Sequence, residues 1–177
     1  MGVPSLGIDV SPLAVTTARG RGAAVLERCV FRPLPFHEAW RTVLLLDGNI
    51  GIGGCPTTLL RRIDQLLAPG GRALVEVDPP GTPTGRMQVR VERGSVRGPW
   101  FAWARVAASR LPEIARAAGL GVTLMWESNG RWFARLDQAS VGEIHGQHPH
   151  RHHEACPQSV RAGLGIDVWA AALSEGA

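Results

Sequence analysis

Two short apolar segments of this chain run into a carboxylate, and those junctions are where chemistry is most naturally sought. Leu6-Gly7-Ile8 leads to Asp9-Val10-Ser11-Pro12, and Val43-Leu44-Leu45-Leu46 leads to Asp47-Gly48-Asn49. An ionised carboxylate only accepts hydrogen bonds, so Asp9 can take two from the neighbouring hydroxyls of a sugar. The alternative is structural: Asp9 helps Ser11 cap the segment that follows. After Asp47, Gly48, Gly51, Gly53 and Gly54 would let a ligand approach the backbone closely, or they form an ordinary flexible loop. Asn49 and Glu76 are the polar side chains nearest the ends of apolar segments. His37 is a further possible base, although a lone histidine after Pro35-Phe36 reads more simply as an exposed residue.

The elements that would position these residues follow from periodicity. Residues 5–10 read as a short buried strand. Ser11 suits an N-cap and Pro12 the first helical position, and the helix runs to Gly20. Residues 23–30 and 41–46 are strand candidates, the second nearly unbroken in apolar character, as expected of a strand covered on both faces. Residues 56–67 form an amphipathic helix, with Leu59, Leu60, Ile63, Leu66 and Leu67 on one side and Arg61, Arg62 and Asp64 on the other. Pro69-Gly70-Gly71 ends it, and residues 72–77 make a further strand. This alternation predicts an α/β fold with a parallel sheet. Residues 87–92 and 96–106 then alternate around Arg93-Gly94 as a hairpin or a lid over the sheet. Residues 111–118 read as a helix. Residues 122–127 and 131–136 are strands joined through Asn129-Gly130, a strong hairpin signal, so the sheet should close in an antiparallel pair.

These residues resemble a known family. Gly7-Ile8-Asp9-Val10-Ser11-Pro12 with Ala14-Val15 looks like the second-strand motif of class I S-adenosylmethionine-dependent methyltransferases. Leu34-Pro35-Phe36 is similar to the segment before their fourth strand. Leu67-Ala68-Pro69-Gly70-Gly71-Arg72 with Leu74-Val75 is similar to their junction of helix and fifth strand. The closing helix and hairpin also match, and the resemblance spans residues 5–136. It implies a Rossmann-like sheet, S-adenosyl-L-methionine as cofactor and a small-molecule methyl acceptor. It also implies cofactor-binding roles for Asp9 at the ribose and for Val10 after it, for Phe31 near the adenine, and for Asp47, Gly48 and Asn49 near the methionine end. Val30, Phe31 and Arg32 stand where many members carry an acidic residue, so adenine recognition would rest on backbone groups and packing. No single catalytic residue follows, because methyl transfer can run on proximity and orientation.

The family's first strand and its glycine-rich loop have no counterpart before Asp9. The central strand would then be missing, leaving two inner strand edges without a partner, which is costly for buried backbone. A downstream start or a decayed gene is the expected reason; the third account is that another segment fills the gap. Leu164-Gly165-Ile166-Asp167-Val168 repeats Leu6-Gly7-Ile8-Asp9-Val10, a match read here as chance in a biased composition. Residues 1–137 are thus expected to form a partial methyltransferase domain, and residues 138–177 a His-rich, disordered tail. His145, His148, His150, His152, His153 and Cys156 are possible ligands for Zn, Ni or Cu. Without an evident scaffold they read as a solvated tail, and no metal site is expected.

Composition narrows the remaining functions. The chain has 177 residues, 45% of them hydrophobic, enough for one domain with a real core. No segment is apolar enough to span a bilayer. The net charge is +4 with all 19 basic residues arginine, scattered rather than clustered, which disfavours a nucleic-acid groove. Three separated cysteines make no disulfide framework and suggest a cytoplasmic setting. An enzyme of the methyltransferase class is the first expectation, and a non-catalytic remnant or scaffold that keeps the fold is the second. A nicotinamide-dependent enzyme fits the Asn129-Gly130 hairpin less well. Trp100, Phe101 and Trp103 either line an apolar acceptor pocket or pack the core.

Overall fold

The computed structural model describes residues 3–139 and 168–173. Strand β1 (Ser5–Asp9) leads into helix α1 (Pro12–Gly20), followed by β2 (Val25–Glu27) and β3 (Trp40–Leu45). Helix α2 (Pro56–Asp64) precedes β4 (Leu67–Val77). The hairpin region holds β5 (Gly85–Val89), β6 (Glu92–Arg93), β7 (Val96–Arg97) and β8 (Phe101–Arg105). Helix α3 (Leu111–Ala117), β9 (Leu120–Ser128) and β10 (Arg131–Gln138) follow, and β11 (Val168–Leu173) comes last.

The caps act as expected. The Ser11 hydroxyl accepts from the Ala14 N–H at 3.3 Å, and Pro12 opens α1, where no N–H is required. Helix α2 ends at Asp64, three residues short of the expected end, because Leu67 already pairs with Trp40 of β3. The ladder slips between Trp40 and Thr42, and Ala68 to Gly71 loop out of it. Gly71 is obligatory there, since a Cβ would stand 2.8 Å from the Ala68 and Trp40 carbonyl oxygens.

The main sheet runs β2-β1-β11-β3-β4-β10-β9. Strands β1 and β2 pair in parallel, as do β3 and β4, while the β9–β10 hairpin is antiparallel. Asn129 and Gly130 take φ of 52° and 78°, the left-handed pair a tight two-residue turn demands. The core lies where Leu59, Leu60 and Ile63 of α2 and Leu111 of α3 cover Val43, Leu45, Ala73, Val75 and Leu136.

The slot between β1 and β3 is filled by a described segment. Gln138 belongs to β10, and Val168–Leu173 fills the slot antiparallel to both neighbours. The reason is hydrogen-bond demand: two facing inner strands present rows of N–H and C=O groups that water cannot reach. The six-residue run Val-Trp-Ala-Ala-Ala-Leu, which contains no charged residue, supplies that strand. The account in which another segment fills the gap therefore holds for the sheet. The His145–Cys156 cluster and most of the repeated pentapeptide lie outside the described residues.

Candidate functional site

Both candidate carboxylates stand at the carboxyl end of the sheet. Ile8 and Leu45 both pair with Val168, so β1 and β3 end level with each other on either side of β11. With inter-strand spacings near 4.8 Å, those ends lie roughly 10 Å apart. Strand order runs outward to β2 on one side and to β4 on the other. The topological switch point therefore falls at β11, and ligands of open α/β sheets bind outside the strand ends there.

Asp9 is buried, and its Oδ1 accepts the Ser11 N–H at 2.7 Å. The capping alternative is thus realised. It does not exclude a sugar contact, since a carboxylate offers about four acceptor positions. Val10 is half-buried beside it, and half-buried Phe31 packs against the core at the end of the β2 segment.

Across β11, the turn after β3 is held by a charged cluster. Asp47 and Gly48 take φ of 55° and 79°, and Asn49–Gly54 winds into buried 3-10 turns kinked at Ile52 and Gly53. The backbone N–H of Asp47 donates to Glu76 Oε2 at 2.6 Å. Arg131 donates from Nε to Glu76 Oε1 at 2.8 Å, from Nη2 to Glu76 Oε2 at 2.6 Å, and from Nη2 to Asp47 Oδ1 at 2.7 Å. These Arg131 bonds hold the Glu76 carboxyl below the usual carboxylate range, against the opposing pull of partial burial. Glu76 is thereby an anchored anion rather than a general base. His37 lies apart, exposed beside Glu38 at 3.8 Å.

The β5–β8 hairpin packs over this turn, with Met87 directly opposite Trp103 in its ladder. It closes a cleft of about 260 Å³ lined by Gly48, Ile50, Glu76 and Asp78 on the sheet side and by Met87 and Trp103 on the hairpin side. Arg105 grips Asp78 through Nε at 3.2 Å and Nη2 at 2.8 Å. A Cβ on Gly51 would stand 2.2 Å from the Ala104 oxygen and 2.5 Å from Trp103 Nε1, so the turn and the lid touch through that glycine. Of the aromatic trio, Trp103 faces the cleft and Phe101 is buried. Trp100 is exposed under the Arg90 guanidinium.

This architecture has solved counterparts. A SAM-dependent methyltransferase from Bacteroides fragilis, crystallised with S-adenosyl-L-homocysteine, superposes with a TM-score of 0.62 at 24% identity, over 75% of this chain and 62% of that one. The 1,6-didemethyltoxoflavin-N1-methyltransferase of Burkholderia thailandensis gives 0.53 at 17% identity, over 75% and 60%. An amino pentose methyltransferase from Micromonospora echinaspora gives 0.53 at 15% identity, over 76% and 73%. This is the S-adenosylmethionine-dependent methyltransferase fold. The chain spans only about three fifths of the first two of these proteins, at 62% and 60%. No protein-family model matches the sequence, and no curated protein sequence matches it significantly.

Within the methyltransferase fold, Asp47, Gly48 and Asn49 gather with Glu76 at one corner, while Asp9, Val10 and Phe31 lie beyond β11. Sequence reasoning missed Arg131, Asp78, Arg105 and Met87. A signal for Arg131 existed: two carboxylates at the ends of adjacent strands require a cation, and the hairpin turn places an arginine directly after Gly130. Among the described residues, no group of three or more His, Cys, Asp or Glu could hold a metal ion, and no helix is long and apolar enough to cross a membrane.

Proposed function

We propose that this chain binds S-adenosyl-L-methionine at the carboxyl ends of β1 and β3 and transfers its methyl group to a small-molecule acceptor in the cleft beneath the β5–β8 hairpin. The carrying observation is that the switch point is flanked by Asp9 on one side and by the Asp47-Gly48-Asn49 turn, open at Gly48, on the other. The residues suit the ligand. Asp9 is an acceptor-only carboxylate at a strand end, as ribose hydroxyls require, Phe31 offers apolar surface toward the adenine, and a Cβ on Gly48 would meet nothing within 4 Å, so that backbone is open to approach. The bound cofactor would supply a sulfonium methyl group. The chain's own part is to orient the acceptor and exclude water, with Met87 and Trp103 above and Gly48 and Ile50 below. Both acidic groups of the cleft are tied to arginines, which suits an acceptor atom nucleophilic enough to react without a base. Residues 1–137 carry this domain, with β11 completing its sheet.

A second reading has its own observation. The central slot holds a strand running opposite to its neighbours, so no strand leads out of it into a loop and helix at the ligand end. That favours a non-catalytic protein that keeps the fold as a scaffold. Calorimetric titration of the 177-residue chain with S-adenosylhomocysteine separates the two. Binding that disappears in Asp9→Ala supports the enzyme, and a folded chain that binds nothing supports the scaffold.

A further inference from the structure

We infer that Arg131 is the positioning residue of this site: from the β9–β10 hairpin it sets the shape of the Asp47-Gly48-Asn49 turn that borders the cleft. The inference rests on the reading of that turn as part of the binding site and goes beyond it, because Arg131 itself does not line the cleft.

The turn cannot be expected to hold this shape unaided. Asp47 lies in the left-handed region at φ 55°, where a residue with a side chain is disfavoured, and Gly48 follows at φ 79°. Within the turn, the Asn49 N–H donates to the Leu46 carbonyl at 3.1 Å and the Gly51 N–H to the Gly48 carbonyl at 2.9 Å, and neither bond involves Asp47. What fixes Asp47 comes from elsewhere. Its side chain is gripped by Arg131, and its N–H is spent on Glu76, whose two oxygens are also gripped by Arg131. One guanidinium thereby locks both the side chain and the backbone of the same residue.

Arg131 is itself well placed to do this. The left-handed Asn129-Gly130 turn fixes where β10 begins. Phe133 pairs with Glu76 across the β4–β10 ladder and with Trp126 across the hairpin, so Arg131, Phe133, Trp126 and Glu76 share one face of the sheet. The Trp126 and Phe133 rings stack at 5.6 Å, and the guanidinium rides 5.4 Å above Phe133. An isolated surface ion pair would contribute little. This one is a bidentate fork on a mostly covered carboxylate, with a third bond to a second acid. The remaining charged groups of the corner, Asp78 and Arg105, satisfy each other and leave Arg131 to Glu76 and Asp47.

The test is amide hydrogen exchange on the full chain, comparing wild type with Arg131→Gln and Arg131→Lys. In Arg131→Gln, the amides of Asp47, Gly48 and Asn49 should exchange at least about tenfold faster, while those of Val43 and Val75 stay unchanged. Arg131→Lys keeps the charge without the fork, should give an intermediate increase, and decides the matter if the glutamine variant does not fold. Titration with S-adenosylhomocysteine across pH 4 to 8 is the second arm. Wild-type affinity should be flat above pH 5. Arg131→Gln should bind about tenfold more weakly at pH 7 and weaken further toward pH 5 as a released Glu76 takes up a proton. Unchanged exchange of the turn in both variants overturns the inference. Absence of binding by wild type would instead count against the proposed cofactor site, with the exchange arm still deciding what Arg131 holds.

Discussion

Replacing Ala170 with proline tests the most consequential feature of the fold, the strand at the centre of the sheet. Ala170 pairs with Leu6 on one side and Val43 on the other. Proline removes its N–H from one of those ladders and leaves the facing carbonyl without a donor, in a layer where water does not substitute. The lost bond is worth about 1 kcal/mol net, and the stranded acceptor costs a further 1–3 kcal/mol. Together these give an expected loss of about 2–4 kcal/mol, before any ring collision. That is a large share of the 5–15 kcal/mol that holds a typical domain together. With a urea dependence of about 1–3 kcal/mol per molar, the unfolding midpoint should fall by roughly 1–2 M. Hydrogen exchange on the unmodified chain gives an independent reading, since amides of Val168–Leu173 should be protected as strongly as those of β3. A midpoint unchanged by Ala170→Pro, with those amides exchanging freely while β3 and β4 stay protected, would refute β11 as the central strand.

Two further outcomes follow from the site. Gly51→Ala drives a Cβ into the Ala104 carbonyl, which belongs to backbone and cannot swing aside, so the hairpin must lift from the turn. A loss of about 1–3 kcal/mol, or a fall in melting temperature of roughly 2–10 °C, is expected, and a variant as stable as wild type would show that lid and turn are not in contact. The charged corner predicts a pH dependence. Glu76 has a folded pKa below its unfolded value of about 4.3, so its contribution is complete above that value and is lost as pH falls through the lower folded one. Melting temperature should therefore hold from pH 8 to 6 and drop below about pH 4. Asp137, raised by burial but brought below its ordinary value by Thr123 and Arg135, accounts for part of the drop. Glu76→Gln should melt lower at neutral pH and fall less steeply in acid; an identical acid profile would mean Glu76 is not held.

The elements legible in the sequence were those whose signals are local. Ser11-Pro12 announces a helix start wherever it stands, and Asn129-Gly130 announces a tight hairpin, because both depend on backbone angles set within a few residues. The end of α2 was less legible. Leu66 and Leu67 fit the helical stripe, and only pairing of Leu67 with Trp40 draws them into β4. Asp9 and the Asp47-Gly48-Asn49 turn were legible as strand ends, since an apolar run stopping on a carboxylate marks where a strand leaves the core. Arg131 was less so. Its partners lie 84 and 55 residues away in sequence, so the need for a cation beside two strand-end acids, with an arginine following Gly130, was the one signal that pointed to it.

The central strand is hard to see for a related reason. The segment sits in surroundings rich in histidine and glycine, a composition that argues for a tail. Yet the argument that made a missing strand costly also required some segment to supply one. Two parallel strands cannot stand an inter-strand gap apart with buried amides unpaired. Val168–Leu173 is six consecutive residues without a charge, a length that matches β3. Direction was the free variable. A strand reached by a long connection can enter the slot from either end, and entering antiparallel still satisfies every ladder on both sides. It also changes the ligand end: the chain arrives at the switch point there instead of leaving it through a loop and helix. The methyltransferase fold is therefore kept by the hydrogen-bond demand of β1 and β3, while cofactor binding would fall to what flanks β11. That places the burden on Asp9 and on the turn that Arg131 holds.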